Sequence, residues 1–461
     1  MGDARATTMA VCNTATMLRL TCVIALMSSL FACASPSAST SSPDAGDAAT
    51  PDASVDAAFD AAPNSDAAPE DGAPLADAMS DAFVEADMGG ASLDARGIYA
   101  AWPLLRGAQS PTTTLDADEL ASLDVGGITG VLVAIGWDVI EPTEGAYSFD
   151  VLDARLIAAR DAHKTVELSI VAGALTPDWL FTRAMPAVGL TFAIAPHGGA
   201  TGHCSAPFTL AHPWDAVFLE RFTLMLSALA THLRGAGLFD TIYVVKLSGI
   251  NRTTSEFRLP QETPSDIACA TDAPALWLSA GYTPGRVLDA FGTIVESYVA
   301  NFPGKLYSMS IITPHGSDFP SFDEAGNLVP TASAVNVTDL ALGIAGARIP
   351  EHQFVIQHDF LMPDYTAPAI MLDNVAALNA RIAFQTNNYL NDTSAGVQCA
   401  ACGGTVASPI ACTESTYLDE LHAGVYPDAM ATTLRSTYIE VHLGELAFPS
   451  AIATASTELR P

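Results

Sequence analysis

The chain has 461 residues, and its 19 Lys plus Arg against 51 Asp plus Glu give a net charge of −32. That balance argues against nucleic-acid binding, which needs a basic face to neutralise phosphates, and against docking of the whole acidic surface on an anionic membrane. Only 15% of residues are charged while 49% are hydrophobic, so a long, apolar-rich chain carries a localised acidity.

Residues 20–32 read LTCVIALMSSLFA, preceded by Arg5 and Arg19 with Asp3 as the only acid, and followed by Cys33. The apolar run is shorter than the roughly 20 residues that span a bilayer, and its flanks are those of an export signal, so residues 1–32 read as a signal peptide. Leu30-Phe31-Ala32-Cys33 resembles a bacterial lipobox. The resemblance implies lipidation of Cys33, although Phe31 stands where that family has a small or β-branched residue; an ordinary cleaved signal is the alternative. Ala34, not Asp, follows the cysteine. By the same resemblance this implies an outer-membrane or cell-surface location, with the lipid bilayer a partner through the N-terminal anchor only.

Between Cys33 and Arg96 there is no Lys or Arg, but there are thirteen acids, from Asp44 to Asp94, amid Ala, Pro and Ser. Such a stretch has little apolar area to offset chain entropy, so residues 33–95 read as the lipidated cysteine and a disordered, self-repelling tether. From Arg96 to Pro461 the chain carries 37 acids and 17 bases, a net −20, and has frequent apolar runs. It is long enough for one large core.

Within 96–461, eight β-rich or apolar runs follow one another: Gly97–Trp102, Gly130–Trp137, Thr165–Ala172, Thr241–Leu247, Lys305–Ile312, His352–His358, Arg381–Thr386 and Thr437–His442. Helical patterns lie between them. Val217, Phe218, Phe222, Met225, Leu226, Leu229 and Leu233 form one stripe, and Thr283-Pro284 sets a cap and first-turn proline before Val287, Leu288, Phe291 and Ile294. Eightfold strand–helix alternation predicts an α/β fold, a parallel (β/α)8 TIM barrel, with a doubly wound sheet as the alternative. No Gly-rich phosphate loop follows the first strand, which removes the expectation of a nucleotide cofactor.

Barrel chemistry resides on the loops after the strands. The longest are 174–213, 251–283 and 387–416, and they hold every cysteine after Cys33: Cys204, Cys269, Cys399, Cys402 and Cys412. In an oxidising compartment these read as disulfide braces, Cys204 with Cys269 and a second among the last three, such as Cys399 with Cys412. A zinc or redox site at Cys399–Cys402 is the sharper alternative, but no further ligands stand at zinc spacing. His197, His203, His212 and His315 show no metal-binding spacing either, so no metal or cofactor is expected.

The segment Gly136-Trp137-Asp138-Val139-Ile140-Glu141-Pro142, continuing through Gly145, Tyr147, Phe149 and Asp153 to Thr176-Pro177-Asp178-Trp179, resembles the second and third β/α units of the clan A glycoside hydrolases. Trp277 with Gly281-Tyr282-Thr283, and Phe302-Pro303-Gly304-Lys305, also fit that pattern. The resemblance implies a carbohydrate ligand, with Trp102, Trp137 and Trp179 stacking on sugar faces; core packing is the competing role for each. It also implies a catalytic Glu directly after an Asn at the end of strand four and a nucleophilic Glu ending strand seven. Here Asn251 is followed by Arg252, and strand seven ends in Gln385, Thr386 and Asn387.

The replacement carboxylates are Glu256 in the loop after strand four, Asp359 beside His358 at the end of strand six, and Glu440 in strand eight. Glu256 is expected as acid/base, and Glu440 or Asp359 as the second carboxylate that glycoside hydrolysis requires. The competing roles are a barrel-closing ion pair of Glu440 with Arg252, and a loop cap for Asp359. Asn251, Arg252, His358, Gln385 and Asn387 would line the sugar site. The rival function is a pseudo-enzyme that binds sugar without cleaving it. A barrel at −20 favours a neutral oligo- or polysaccharide.

Overall fold

The structure is a computed structural model, and the residues it describes are 94–194, 204, 206–312, 318–323, 326–329, 336–361, 369–386, 413–428 and 434–460. The proposed signal, the lipidation site Cys33 and the tether up to residue 93 lie outside them.

All eight expected strands form, as β1 (Gly97–Ala101), β2 (Ile128–Gly136), β3 (Thr165–Val171), β6 (Ile242–Lys246), β7 (Leu306–Ile311), β8 (Phe354–Leu361), β9 (Arg381–Thr386) and β10 (Tyr438–His442). Every pairing among them is parallel, and β1 pairs with both β2 and β10, so the sheet closes. Closure settles the architecture as a (β/α)8 barrel and removes the doubly wound alternative, which leaves two open edges. The loop after β3 carries a hairpin that the periodicity did not announce: β4 (Gly189–Phe192) runs antiparallel to β5 (Phe208–Ala211).

Among the described residues, eight helices of eight or more residues accompany the strands: α1 (Ala117–Asp124), α2 (Asp150–Asp161), α3 (Ala216–Gly235), α4 (Pro284–Asn301), α5 (Val337–Arg348), α6 (Ala369–Ala377), α7 (Glu414–Val425) and α8 (Pro449–Leu459). Their starts are chemically marked. Asp116 and Glu119 make a reciprocal capping box on α1, Asp215 caps α3, and Thr283 caps α4 ahead of Pro284, as the sequence pattern predicted. The α3 stripe of Phe218, Phe222, Met225, Leu226, Leu229 and Leu233 is fully enclosed. Each such side chain contributes roughly 1.5–3 kcal/mol by leaving water, which holds the helix on the barrel more firmly than its own propensity does.

The period of two along each strand separates two interiors. Outward residues such as Ile98, Val131, Val166, Val245, Met309, Ile356, Ile382 and Ile439 join one large apolar cluster beneath the helices. Inward residues Tyr99, Val244, Leu306, Val355, Ala383 and Tyr438 form a second cluster, which fills the lower barrel. Above it the inward positions turn polar. Glu167, Lys246, Ser308, Ser310, Gln357 and Glu440 are all buried there, where barrels of this class ordinarily stack branched aliphatics.

Candidate active site at the barrel mouth

The buried polar layer is organised around Glu440. Lys246 Nζ donates to its Oε1 at 2.8 Å, Gln357 Nε2 donates to the same oxygen at 2.8 Å, and Gln385 Nε2 donates to Oε2. The expected ion pair exists, but its partner is Lys246, not Arg252. The register explains this: Lys246 is an inward residue of β6, whereas Arg252 has left the barrel and pairs with Glu262 at 2.7 Å.

Glu167 also approaches Lys246, 3.7 Å from Nζ, and accepts from Ser308 Oγ at 2.9 Å. Burial, and next the Glu440 charge, push Glu167 well above the usual carboxylate range, so it keeps its proton and shares it with Glu440. Burial also works to raise Glu440, but the Lys246 charge and the bonds it receives outweigh that and hold it below the usual range. Lys246 is raised in turn: burial alone would lower it, but Glu167, Glu440 and Asp359 prevail. The trio is therefore close to neutral, with one ammonium, one carboxylate and one carboxylic acid. That is how three ionisable groups can be enclosed together. Tyr438 closes the network from below, its hydroxyl 3.0 Å from Glu167 Oε1 and 2.8 Å from Gln357 Oε1.

One layer higher, Asp359 faces the same axis. Gln357 Nε2 also donates to Asp359 Oδ1 at 2.8 Å, so this oxygen and Glu440 Oε1 lie within about 5.6 Å of each other. Ser310 Oγ donates to the other Asp359 oxygen. Burial raises Asp359 to about 7; Glu440 and Glu256 add to the rise, while Lys246 and Ser310 offset part of it. The residue as a whole is partly exposed, while burial of its carboxyl is the main cause of the rise.

Glu256 arrives by the route its loop allows. Asn251 and Phe257 form a short antiparallel bridge, and Phe257 N donates to the Ser310 carbonyl at 2.9 Å, which lays the Glu256 segment against the top of β7. Asn251 is the brace of this turn: its Oδ1 accepts from Gly249 N at 3.1 Å and its Nδ2 donates to the Thr254 carbonyl at 2.8 Å. Gly173, at φ 46°, lets the loop after β3 approach, since a Cβ there would strike the carbonyls of Asn251 and Arg252. Glu256 accepts from the Thr254 hydroxyl, and Ser255 Oγ takes a bond from Ser169 Oγ at 2.9 Å. All three candidate carboxylates, Glu256, Asp359 and Glu440, thus converge on one end of the barrel. Glu167, Lys246, Ser308, Ser310 and Gln357 were not among the sequence candidates, although alternating polar residues in β3 (Glu167, Ser169), β7 (Ser308, Ser310) and β8 (Gln357, Asp359) were a visible signal.

Other candidates fall elsewhere. His358 points away from Asp359, because neighbours on a strand face opposite sides; it is buried against Phe384 and donates from Nε2 to the Ile312 carbonyl at 2.7 Å. Burial lowers it to about 4, so it is neutral. Trp137 is completely enclosed among Trp179, Phe218 and Phe222 and offers no face to a sugar. Its Nε1 donates to Glu141 Oε2 at 2.9 Å, and Glu141 also takes bonds from Gly145 N and Arg221. Trp179 bonds the Glu141 carbonyl and lies under the Arg221 guanidinium, and Trp102 is buried with Nε1 on Ser122. Core packing is therefore the role of Trp102 and Trp137, and the strand-two motif is a structural clamp around Glu141.

Cys204 and Cys269 form the expected disulfide, linking the loops after β3 and β6. Asn387, Cys399, Cys402, Cys412, His197, His203 and His315 lie outside the described residues. His212 is buried, and burial lowers its pKa. No group of three potential metal ligands occurs among the described residues.

A scan against known protein families and a search of curated proteins each found no match. Among solved structures, the chain is similar to a xylanase from Thermoanaerobacterium saccharolyticum at 12% identity, TM-score 0.40, covering 75% of this chain and 85% of that one. It is similar to a GH10 xylanase from a Bispora species at 13% identity, TM-score 0.42, covering 76% and 84%. A xylanase from Thermotoga maritima aligns at 10% identity, TM-score 0.41, covering 76% and 83%.

Proposed function

We propose that the barrel mouth hydrolyses a glycosidic bond in a neutral oligo- or polysaccharide, with Asp359 as the proton donor and Glu256 as the opposing carboxylate. The observation that carries this is the Asp359 carboxyl, raised to about 7 on a partly exposed residue that Gln357 bridges to Glu440 and that feels the Glu256 charge. A carboxylic acid that holds its proton near neutral pH beside a carboxylate is the arrangement glycoside cleavage needs. Asp359 gives its proton to the leaving oxygen as the C–O bond breaks, while Glu256 takes a proton from the water whose oxygen bonds to the anomeric carbon, and solvent then restores both protonation states. Glu440 is too enclosed to touch substrate; its fixed charge helps keep Asp359 protonated. This reverses the initial assignment of Glu256 as the acid.

One observation favours binding without turnover. Gln385, at the end of β9, puts an amide where the resemblance requires a nucleophile, and that amide is already engaged with Glu440. Release of reducing ends from soluble neutral polysaccharides, compared for wild type, Asp359→Asn and Glu256→Gln, separates the two. Turnover lost in both variants supports hydrolysis. Glycan binding with no turnover in the wild type supports the pseudo-enzyme.

We also place the chain at the cell surface, held by a lipid on Cys33. Labelling with radioactive palmitate that disappears in Cys33→Ala supports this placement, and equal labelling of both would refute it.

A further inference from the structure

At the N-terminal end of the barrel, a cavity of about 310 Å3 opens at the starts of β1, β2 and β3. Arg96, Lys164 and Arg460 line it, together with His163, and Asp94 is the one carboxylate among its lining residues. Three cations against one acid leave a net +2 in a domain that is otherwise strongly acidic. Arg96 spends Nε and Nη2 on Asp94, at 2.7 and 3.1 Å, in an exposed pair that solvent screens.

Lys164 and Arg460 have no carboxylate at ion-pair distance among the described residues. Lys164 Nζ gives one bond to the Ile128 carbonyl at 2.8 Å, which leaves two protons, and Arg460 Nη2 reaches only Ser456 Oγ at 2.9 Å. Burial pulls Lys164 below the usual lysine range, and the Arg460 charge adds to this, with Asp124 offsetting only part. Lys164 and Arg460 are like charges held side by side, and a bound anion relieves their repulsion.

We propose that this basal cavity binds a phosphate-ester dianion, gripped by Lys164 and Arg460 with Arg96 at the rim. Guanidinium and ammonium groups together suit phosphate oxygens, and the net +2 matches a dianion. The volume leaves room for the organic part of the ester. The site is independent of the hydrolytic mouth at the other end of the barrel. Two sources share the chemistry: a soluble phosphate ester, and the headgroup of an anionic phospholipid in the bilayer to which a Cys33 anchor would hold the chain.

The test uses the full chain carrying Cys33→Ala, so that no lipid anchor contributes. Glycerol phosphate is titrated calorimetrically at constant ionic strength, and co-sedimentation is measured with phosphatidylcholine vesicles with and without phosphatidic acid. Saturable binding is expected, weakened roughly tenfold or more in Lys164→Gln and in Arg460→Gln and retained in Lys164→Arg. Binding of glycerol phosphate without vesicle binding assigns the soluble ester. Co-sedimentation that needs phosphatidic acid and the same two side chains assigns the headgroup. Absence of saturable binding to either probe, or binding unchanged in Arg460→Gln, whose side chain is exposed, overturns the proposal.

Discussion

Replacing Lys246 with methionine removes the one cation in the barrel interior while nearly preserving side-chain volume. The side chains of Lys246 and Glu440 are 1% and 0% exposed, so no solvent compensates the carboxylate left behind. Breaking such a pair from one side costs about 3–5 kcal/mol, a large part of the roughly 5–15 kcal/mol that stabilises a folded domain. The loss must depend on pH. In the wild type the folded Glu440 pKa lies below its unfolded value, so its contribution is present above the unfolded pKa and fades as pH falls through the folded one. Without Lys246, burial dominates and the folded pKa rises above the unfolded value. The charged form is then penalised, and the variant's deficit shrinks as acid neutralises the carboxyl. Urea unfolding followed by the fluorescence of the buried Trp137 and Trp277 measures this at pH 8 and pH 5. The double variant Lys246→Met/Glu440→Gln should be more stable than Lys246→Met alone at pH 8. A deficit below about 1 kcal/mol, or one equal at both pH values, would refute the electrostatic account of the barrel interior.

Trp137→Ala should cost about 3–5 kcal/mol in urea unfolding, as for any large core aromatic, and leave glycan affinity unchanged at temperatures where the protein stays folded. Removing the Cys204–Cys269 bridge, which closes a 65-residue separation, should cost about 4 kcal/mol by loop entropy, seen as a lower melting temperature. Glu445, raised to about 7 by burial despite bonds from Thr386, the His442 backbone and Tyr417, disfavours folding more and more as pH climbs from the unfolded carboxylate range to 7. Glu445→Gln should therefore be relatively more stable at pH 8 than at pH 5 when compared with wild type, and a pH-independent difference would contradict this. Hydrolysis by the wild type should fall as pH rises through about 7, where Asp359 loses its proton, and this limb should be absent from any residual rate of Asp359→Asn.

The barrel was legible in the sequence because each strand is a short apolar run between a helix and a turn, and the eight runs match the observed strands to within a residue or two at most ends. The β4–β5 hairpin was not, since Gly189–Phe192 and Phe208–Ala211 are too short to show a period above the loop around them. The convergence of Glu256, Asp359 and Glu440 was anticipated from their places at strand ends. Their grading was not, because it depends on which buried neighbour each one meets. Lys246 and Glu167 sit 79 positions apart on paired strands, and only the closed register shows that they meet Glu440 from the opposite side. The tryptophans misled for a related reason. A tryptophan just past a strand end can face the mouth or turn under the first helix, and Glu141, four residues after Trp137, is the acceptor that holds the ring inside. Arg252 was judged by its position beside Asn251, but the chain turns there, and its charge goes to Glu262.

The account depends most on Asp359 holding a proton near neutral pH because burial, with the Glu440 and Glu256 charges added to it, disfavours its carboxylate. Carboxyl 13C labelling of aspartate, with the Asp359 resonance assigned by its loss in Asp359→Asn, reads this directly and needs no substrate. The predicted result is a titration midpoint about 7 in the wild type, moving lower in Glu256→Gln. A midpoint in the ordinary aspartate range near 4, unmoved by that substitution, would contradict the account.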